Sequence, residues 1–358
     1  MLKFSNKYFS SKIYYSYKAN YLPAICKIVG SEGLGAEIAT KFEYDLAIQN
    51  GIKPESIILS SPYKTTSLLV ESIANQIGLI FLSQIDEITE VAKYLNDGQV
   101  QKVGIRLRSQ RPNKQLGIYI NKKKLIKIVN KLQKCGDLTL TTLQLHSGTQ
   151  LDSQMFKDGI NYLLDVANQF EQQGFTISQL DFGGGFPEAG NLSETDLDDL
   201  FLLLSETLHD RGWQKATCIF EPGRYIVGDA GLMLTQIVQV FEVDNIPWIM
   251  LNTGTHHCPK LSNSKFRFEI IDRMSAPHST SISIAGCLPT DMDVFTKRCP
   301  FIDGAKRGDS LAIFNAGAYT LSWSTRFSYP FPPMLLINKN QITKLELPSM
   351  KSENSQEL

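Results

Sequence analysis

Four short segments of the sequence contain residue types that could bind and activate a small cofactor. They supply an amine, an imidazole, a glycine-rich turn, and a carboxylate followed by a guanidinium. The residues are Lys18 in YSYKAN, His146 in LHSGTQ, Gly183, Gly184 and Gly185 in DFGGGFP, and Glu221, Gly223 and Arg224 in EPGR. Each segment alone is usually structural, since a lysine stem covers apolar surface and glycines form tight turns. The combination is more specific than its parts.

These groups have complementary chemistry. A lysine amine on a buried strand can form a Schiff base with an aldehyde, and Lys18 is the candidate. The glycine triplet lets backbone N–H groups approach a phosphate, to which Arg224 can add charge-assisted hydrogen bonds. The Glu221 carboxylate can keep a pyridine nitrogen protonated, so that the ring accepts electrons from a carbanion. His146 can lie against such a ring. The sequence therefore predicts pyridoxal 5'-phosphate as the cofactor.

The segments follow predicted β-strands, which suggests how they come together. In the first two thirds of the chain, short β-type runs alternate with amphipathic helical stretches such as residues 156–170. The predicted strands are residues 13–17, 35–38, 56–59, 79–82, 102–107, 138–144, 177–182 and 217–221. This alternation is typical of a (β/α)8 TIM barrel, in which the active site lies at the C-terminal ends of the strands.

The pattern changes after about residue 232. Strand-like runs at 236–241, 281–284, 310–314 and 334–337 are separated by turn residues without intervening helices. We therefore predict a barrel over residues 1–235, a mostly β domain over 236–345 that completes the active site, and a disordered tail over 346–358.

Composition excludes several classes of function. Thirty-six basic residues balance 36 acidic ones, so no net charge favours nucleic acid or an anionic membrane. No apolar run reaches the ~18 residues of a membrane span, and the N-terminus lacks the apolar core of a secretory signal. The six cysteines form no CxxC pair, which favours reduced thiols. We expect a cytoplasmic protein.

At these residues the chain resembles the fold-type III pyridoxal-phosphate decarboxylases, which include diaminopimelate, ornithine and arginine decarboxylases. The resemblance runs over about residues 13–337 and includes YSYKAN, HSGTQ with Thr149, DFGGGFP and EPGR. In the late segment GDSLAIFNAGAYTLSWS, the family's phosphate-contacting tyrosine corresponds to Tyr319. Arg106 and Glu43 fall on family positions near the cofactor. The resemblance implies an amino-acid decarboxylase of alanine-racemase-type fold, and a homodimer whose active sites the partner chain completes.

The chain departs from the family in three places. Only 17 residues precede Lys18, which predicts a trimmed barrel or β domain. Glu37 replaces a usual aspartate near the cofactor. The third departure is in the active-site loop, AGCLPTDMDVF, where the family has a cysteine, then an acidic residue, then an aspartate three further on. Aligning that aspartate with Asp293 puts Pro289 at the cysteine position and Thr290 at the acidic one.

The loop affects both proton transfer and substrate choice. Cys287 shares a face with position 289 in an extended chain, so we predict Cys287 as the catalytic proton donor. The resemblance places Asp293 among the catalytic and substrate-binding residues. Thr290 is the predicted substrate contact, and it cannot pair with the distal ammonium of a free diamino acid.

The segment NTGTHHCPKLSNSKFRFEIIDR contributes further candidates for binding the substrate, namely His256, His257 and Arg267. It resembles the family branch in siderophore and antibiotic biosynthesis, whose members act on amino acids joined to a larger group or a carrier protein. We therefore expect a conjugated, carrier-linked or otherwise unusual amino acid. Diaminopimelate or ornithine decarboxylase proper remains an alternative.

Other interpretations remain open. Adjacent His256 and His257 rarely face one ion together, so we predict no metal. Four lysines lie on one helical face, at Lys124, Lys127, Lys131 and Lys134. They form either a solvated face or a dock for an acidic carrier protein.

Two other functions are alternatives to a decarboxylase. A racemase of the alanine racemase pattern pairs the ring nitrogen with an arginine, and the glutamate at position 221 argues against it. A non-catalytic relative of antizyme-inhibitor type agrees with Pro289, but does not need Lys18 or Glu221.

Overall fold

The computed structural model describes residues 1–110, 114–148, 153–259, 263–327 and 329–347. The described chain forms two compact units, Met1–Gly223 and Arg224–Leu347. The division precedes the boundary predicted after residue 235. The reason is that residues 233–235 already pair within the sheet of the second unit. All but the first two residues of the predicted tail lie outside the described residues.

The first unit contains a closed parallel barrel of eight strands among its described residues, which confirms the predicted fold class. The strands are β1 (Ser11–Ser16), β2 (Gly35–Ile38), β3 (Ile57–Leu59), β4 (Leu79–Leu82), β5 (Gln101–Arg106), β6 (Leu138–Gln144), β7 (Gln179–Asp181) and β8 (Thr217–Phe220). Strands β3 and β4 read IIL and LIFL and are fully buried. Such continuous apolar runs are expected where both faces of a parallel sheet are covered.

Helices alternate with these strands. They are α1 (Leu2–Ser5), α2 (Pro23–Ser31), α3 (Lys41–Gln49), α4 (Thr66–Ala74), α5 (Glu87–Ala92), α6 (Lys122–Lys134), α7 (Ser153–Glu171) and α8 (Glu194–Asp210). Thr40, Thr65 and Asn121 cap the N-termini of α3, α4 and α6, since each side chain accepts a backbone N–H two or three residues into the helix. These caps define where each helix begins after its strand.

Helix α6 shows the predicted two faces. Its buried residues are Leu125, Ile128, Val129 and Leu132. On the other face, Lys131 donates to Asp86 at 2.9 Å, and Lys127 lies 3.8 Å from the same carboxylate. Two of the four lysines that were predicted to share one helical face are therefore paired with Asp86, which precedes α5.

The second unit is mostly β, as predicted. Its elements are α9 (Arg224–Val227), β9 (Met233–Val243), β10 (Ile246–Leu251), β11 (Arg267–Ile270), β12 (Thr280–Ala285), β13 (Val294–Phe301), β14 (Ser310–Phe314), α10 (Thr320–Trp323), β15 (Met334–Asn338) and β16 (Gln341–Leu345). Six strands form a sheet in the order β11-β14-β9-β10-β12-β13, and β15 pairs with β16. Ile249, Leu251 and Ile284 lie in the sheet's core. No helix in the described parts of the chain is long and apolar enough to cross a membrane.

Candidate active site

The C-terminal ends of the barrel strands bring the predicted chemistry together around Lys18. Lys18 lies in a single 3-10 turn, Tyr17–Ala19, directly after β1. Its Nζ forms an ion pair with Glu37 on β2 and lies 3.4 Å from the Ser16 hydroxyl oxygen. The Lys18 side chain is about half exposed, whereas that of Glu37 is 1% exposed. The amine is therefore accessible while its counter-ion is not.

Glu221 follows β8 and lies in a buried group of polar side chains. Gln144, the last residue of β6, donates to its Oε1 at 2.8 Å. Asp181, the last residue of β7, is also buried and interacts with Glu221. Burial and the negative charge of Glu37 raise the pKa of Glu221 to about 7, although Lys18 and Arg106 oppose this.

Asp181 is the buried carboxyl group that interacts with Glu221. Burial, and then the charge of Glu221, raises the pKa of the Asp181 carboxyl well above its ordinary value. Its Oδ1 accepts the Gly183 amide at 2.7 Å, which fixes the start of the glycine turn. Two buried carboxyl groups side by side retain a proton between them, because both cannot ionise at neutral pH.

Glu43 and Arg106 also face this end of the barrel. Glu43 lies in the first turn of α3, and its Oε2 accepts the Ala39 amide at 2.6 Å. Burial raises the pKa of Glu43 to about 7, against the effect of that amide. Arg106 ends β5 and is half-buried, and its positive charge acts on Glu221.

The glycine turn after β7 leaves no room for side chains. A Cβ on Gly183, whose φ is +66°, would lie 2.8 Å from the His146 Nδ1 atom. A Cβ on Gly184 would lie 2.5 Å from the Glu221 carbonyl oxygen, and Gly185 has a φ of +95°. His146 is exposed beside this turn. Gly223 is buried at the end of the first unit, and Thr149 lies outside the described residues.

Three polar side chains lie together in the second unit. Arg224 Nη1 donates to the Ser264 hydroxyl at 2.6 Å, and its guanidinium lies 5.2 Å from the centre of the Tyr319 ring. Tyr319 has a φ of +60°, a left-handed conformation that is rare for a residue with a large side chain. Strain of this kind is often found at functional sites. Ser264 was not predicted, because a lone serine in a loop has no sequence signal.

Asp293 is buried in the second unit and joins two loops. Its Oδ1 accepts the amide and hydroxyl of Thr255 at 2.7 and 2.8 Å, and its Oδ2 accepts the Leu288 amide at 2.8 Å. It is 2% exposed. Both oxygens therefore accept hydrogen bonds within the second unit, where Asp293 ties the loop of Cys287 to the loop of His256. Its catalytic and substrate-binding role stays a prediction.

The two adjacent histidines are not equivalent. His257 interacts with the Thr253 hydroxyl at 3.2 Å through Nδ1 and with the Pro330 carbonyl at 3.1 Å through Nε2. Burial, followed by the neighbouring His256, lowers the pKa of His257 to about 4. His256 is 5% exposed, and neither of its ring nitrogens has a partner among the described residues. No cluster of metal-ligating side chains occurs in the described parts of the chain.

The remaining candidates lie on the surface of the second unit. Thr290 is exposed, and Cys287 is partly buried with its carbonyl oxygen 3.5 Å from the Tyr329 hydroxyl. Arg267 pairs with Glu269 at 2.8 Å and lies 4.2 Å from the centre of the Phe314 ring. Arg267 therefore contacts residues of its own sheet, and its role as a substrate contact stays a prediction.

Comparison with known proteins establishes the family. The sequence profile described as pyridoxal-dependent decarboxylase, pyridoxal binding domain, matches residues 1–228. The chain belongs to this family. This membership confirms the predicted enzyme class, a carboxy-lyase, and its predicted cofactor, pyridoxal phosphate.

Individual relatives of this decarboxylase differ in substrate. Diaminopimelate decarboxylase of Aquifex aeolicus is 27% identical over 88% of the chain and 78% of its own length. L-glutamyl-[BtrI acyl-carrier protein] decarboxylase of Niallia circulans is 23% identical over 92% of the chain and 82% of its own length. Among solved structures, diaminopimelate decarboxylase of M. jannaschii in complex with L-lysine has a TM-score of 0.82 at 21% identity. That match covers 96% of this chain and 85% of the other.

The residues of the decarboxylase fit its cofactor. The glycine turn keeps the backbone bare where a Cβ on Gly183 or Gly184 would collide with neighbouring residues, and Glu221 is a buried carboxyl group whose pKa is raised to about 7. Glu37 Oε1 and Gln144 Oε1 are buried polar atoms without partners among the described residues, and both lie on side chains that bond to Lys18 or Glu221. Glu37 was placed near the cofactor by the resemblance, whereas Asp181 was missed because an acidic residue within a strand carries no distinctive motif.

Proposed function

We propose that this decarboxylase attaches pyridoxal phosphate to Lys18 and removes the carboxyl group of an amino acid that is conjugated to a larger group or a carrier protein. The observation that supports attachment at Lys18 is its position among buried carboxyl groups at the C-terminal end of the barrel. Pyridoxal phosphate supplies an aldehyde for primary amines and a ring that delocalises the electron pair left by departing CO2.

Glu221 would hold the proton that the ring nitrogen shares. A carboxyl group with a pKa of about 7 can share a proton with a group of similar basicity, and the neighbouring Asp181 carboxyl, whose pKa burial also raises, interacts with it. Gln144 orients the Glu221 carboxylate by its hydrogen bond. The glycine turn would let the phosphate approach the backbone closely, and His146 would cover the ring. We assign Arg224, Ser264 and Tyr319 to the phosphate as well.

Cys287 is the proposed proton donor to the carbon from which CO2 leaves. Burial raises the pKa of its thiol above the ordinary value, which keeps the thiol protonated at neutral pH. Tyr329 lies beside it, and Asp293 holds the backbone at Leu288. Donation from Cys287 breaks the S–H bond, forms a C–H bond and leaves a thiolate, which regains its proton from solvent.

The loop around Thr290 supports a conjugated substrate. Thr290 is exposed and carries no charge, and the Asp293 carboxylate is occupied by Thr255 and Leu288. A distal ammonium would therefore lack a partner at either position. Both ring nitrogens of His256 lack a hydrogen-bond partner among the described residues. They could therefore form hydrogen bonds with the amide or ester group of a conjugated substrate. The relative from Niallia circulans acts on a glutamyl group linked to a carrier protein.

Diaminopimelate is the second candidate substrate. Relatives that cover most of the chain, including the one from Aquifex aeolicus, are diaminopimelate decarboxylases. Asp291 is exposed next to Thr290 and is the carboxylate that could replace the missing one.

CO2 release by the loaded enzyme tests these candidates. We expect kcat/KM to be at least about 100-fold higher for a glutamyl carrier-protein thioester than for free diaminopimelate or ornithine, a difference of about 3 kcal/mol. Replacement T290E should raise kcat/KM for the free diamino acids about 10-fold to 100-fold, because it supplies a charged acceptor. T290Q, of equal length without charge, is the control. Ordinary efficiency of the unaltered enzyme on free diaminopimelate contradicts the conjugated substrate and leaves the family intact.

The lysine face of helix α6 is the proposed binding surface for an acidic carrier protein. Lys127 and Lys131 are paired with Asp86, so Lys124 and Lys134 are the lysines to reverse. Replacing both by glutamate should weaken turnover of a carrier-linked substrate and leave turnover of the same amino acid on a short thioester unchanged. Equal effects on both substrates contradict docking at this face.

A further inference from the structure

We propose that Glu37 is the counter-ion that keeps the Lys18 nitrogen positively charged, both as the free amine and after the cofactor has been attached. Glu37 then acts on the atom at which the substrate amine exchanges with Lys18. This inference rests on the proposed attachment at Lys18, and it is independent of which amino acid the enzyme decarboxylates.

The pairing of β1 with β2 fixes the position of Glu37. In the register of these parallel strands, Glu37 lies opposite Ser16, two residues before Lys18. The Ser16 hydroxyl donates to Glu37 Oε2 at 2.5 Å, and the same oxygen forms the ion pair with Lys18 Nζ. One carboxylate oxygen is therefore held at the amine by two neighbouring strands rather than by a mobile loop.

The length of the side chain at position 37 matters for this contact. An aspartate on the same backbone would withdraw its carboxylate by one carbon–carbon bond. Because the strand ladder fixes the backbone of β2, the Lys18 side chain would have to extend further to keep the contact with an aspartate. Glutamate at this position therefore brings the carboxylate nearer to Nζ.

Other charged groups face the same region as the ion pair between Glu37 and Lys18. The other carboxyl groups facing this region are Glu43 from α3, Asp181 from β7 and Glu221 after β8, and the facing cation besides Lys18 is Arg106 from β5. Burial raises the pKa of all three carboxyl groups, and the negative charge of Glu37 raises each of them further. They tend to keep their protons, while Glu37 is paired with an ammonium.

A positive Lys18 nitrogen favours exchange with the substrate. It withdraws electrons from the cofactor carbon to which it is joined, so that a substrate amine attacks this carbon faster. The cofactor would supply the carbon at which the substrate amine exchanges with Lys18. Glu37 would stabilise the positive charge on the Lys18 nitrogen before this exchange, and it would pair with Lys18 again whenever the released amine takes up a proton from solvent.

A pH titration of the visible spectrum tests the proposal without any substrate. The full chain, loaded with pyridoxal phosphate, should show a band that moves to shorter wavelength when the Lys18 nitrogen loses its proton. In E37Q the midpoint of this change should fall by about 1–3 pH units, because an opposite charge at contact distance favours the charged form by that amount.

Two further variants keep the test decisive. E43Q removes another buried carboxyl group, one that bonds to the Ala39 amide rather than to Lys18, and its midpoint should move less than that of E37Q. E37D keeps the charge but shortens the reach, so its midpoint should lie between those of the unaltered protein and E37Q. If E37Q does not fold, the midpoint of E37D still tests the proposal, because it should fall below that of the unaltered protein. A midpoint that stays unchanged or rises in E37Q, or an equal shift in E43Q, overturns the proposal.

Discussion

Buried carboxyl groups are the main feature of this enzyme at the scale of single residues. Glu43, Asp181 and Glu221 all lie at the C-terminal end of the barrel, and burial raises the pKa of each. An acid whose pKa rises on folding stabilises the folded protein at low pH. That contribution is complete below the pKa of the unfolded chain and disappears as the pH passes the higher pKa of the folded state.

Glu43 allows this effect to be measured in the cofactor-free protein. Its pKa rises from 4.5 to about 7, so the unaltered protein should lose about 2–3 kcal/mol from this residue between pH 5 and pH 8. The glutamine of E43Q cannot ionise, and it keeps an oxygen that can accept the Ala39 amide. Between pH 5 and pH 8, the free energy of unfolding of E43Q should therefore rise by that amount relative to that of the unaltered protein. Denaturant unfolding at both pH values measures the difference.

The control for this prediction is E206Q, at an exposed position on α8. It removes the same charge from a solvated site, so its effect on the free energy of unfolding should be the same at pH 5 and pH 8. A pH-independent effect of E43Q would show that Glu43 ionises freely in the folded protein.

At the scale of elements, a buried ion pair joins two loops at the active-site end of the barrel. Lys64 lies after β3 and Glu87 begins α5, and their side chains are 2% and 17% exposed. Lys64 Nζ donates to Glu87 at 2.9 Å and to the Ser61 carbonyl at 2.7 Å. Glu87 Oε2 also accepts the Ser83 amide at 2.5 Å, which fixes the start of α5. Two βα loops are thus tied together near Arg106.

Loss of Lys64 should therefore destabilise the protein strongly. K64M leaves the Glu87 carboxylate buried without its counter-charge, which costs about 3–5 kcal/mol for a pair of this kind. Thermal or denaturant unfolding at pH 7 measures this loss. The matched control is K93M, which breaks the exposed pair between Lys93 and Glu90 at 2.6 Å and should have no measurable effect. Equal stability of K64M and K93M would contradict a structural role for the buried pair.

The sequence predicts the barrel strands better than the strands of the second unit. Strands β2, β4 and β6 match their predicted bounds, because parallel barrel strands are short apolar runs between amphipathic helices. Strands β10, β11, β13 and β16 were not among the predicted runs. For example, β11 is only RFEI, and β13 alternates little in burial. These two strands are defined by their partners β14 and β12. Their pairing depends on tertiary structure, which local composition does not encode.

At the scale of the whole molecule, the resemblance to the family predicts a homodimer with shared active sites. Mixing two inactive variants tests this. K18A removes the amine that would carry the cofactor, and C287A removes the proposed proton donor of the second unit. After random re-association, half of the dimers contain one K18A subunit and one C287A subunit. If each active site takes Lys18 from one subunit and Cys287 from the other, one of the two sites in such a dimer has both residues intact. We therefore expect recovery of about a quarter of the unaltered activity.

The outcome of this mixing experiment separates two arrangements. Recovery of activity, together with a dimer mass in sedimentation, supports shared sites. Absence of recovery when subunit exchange is verified with tagged chains contradicts them, and places Lys18 and Cys287 of each site on the same subunit.

The sequence by itself determined the cofactor, the barrel and the residues of the four motifs. Lys18, His146, the glycine turn and Glu221 follow strands, and parallel strands of a closed barrel end on the same side, so their proximity follows from chain order alone. The chemistry of these residue types then leaves one cofactor that suits them all.

Tertiary structure alone decided which polar groups are paired and which remain available. Glu37 faces Lys18 because of the register of β1 and β2, and Asp293 accepts hydrogen bonds from two loops. Of the two adjacent histidines, only His256 has ring nitrogens without a hydrogen-bond partner in the part of the chain that the structure describes. Hydrogen bonds to the backbone of distant segments leave no pattern in the sequence, since any residue type can supply an amide or a carbonyl. Burial, which raises the pKa of Glu43 and Glu221, likewise depends on the neighbours that folding brings together.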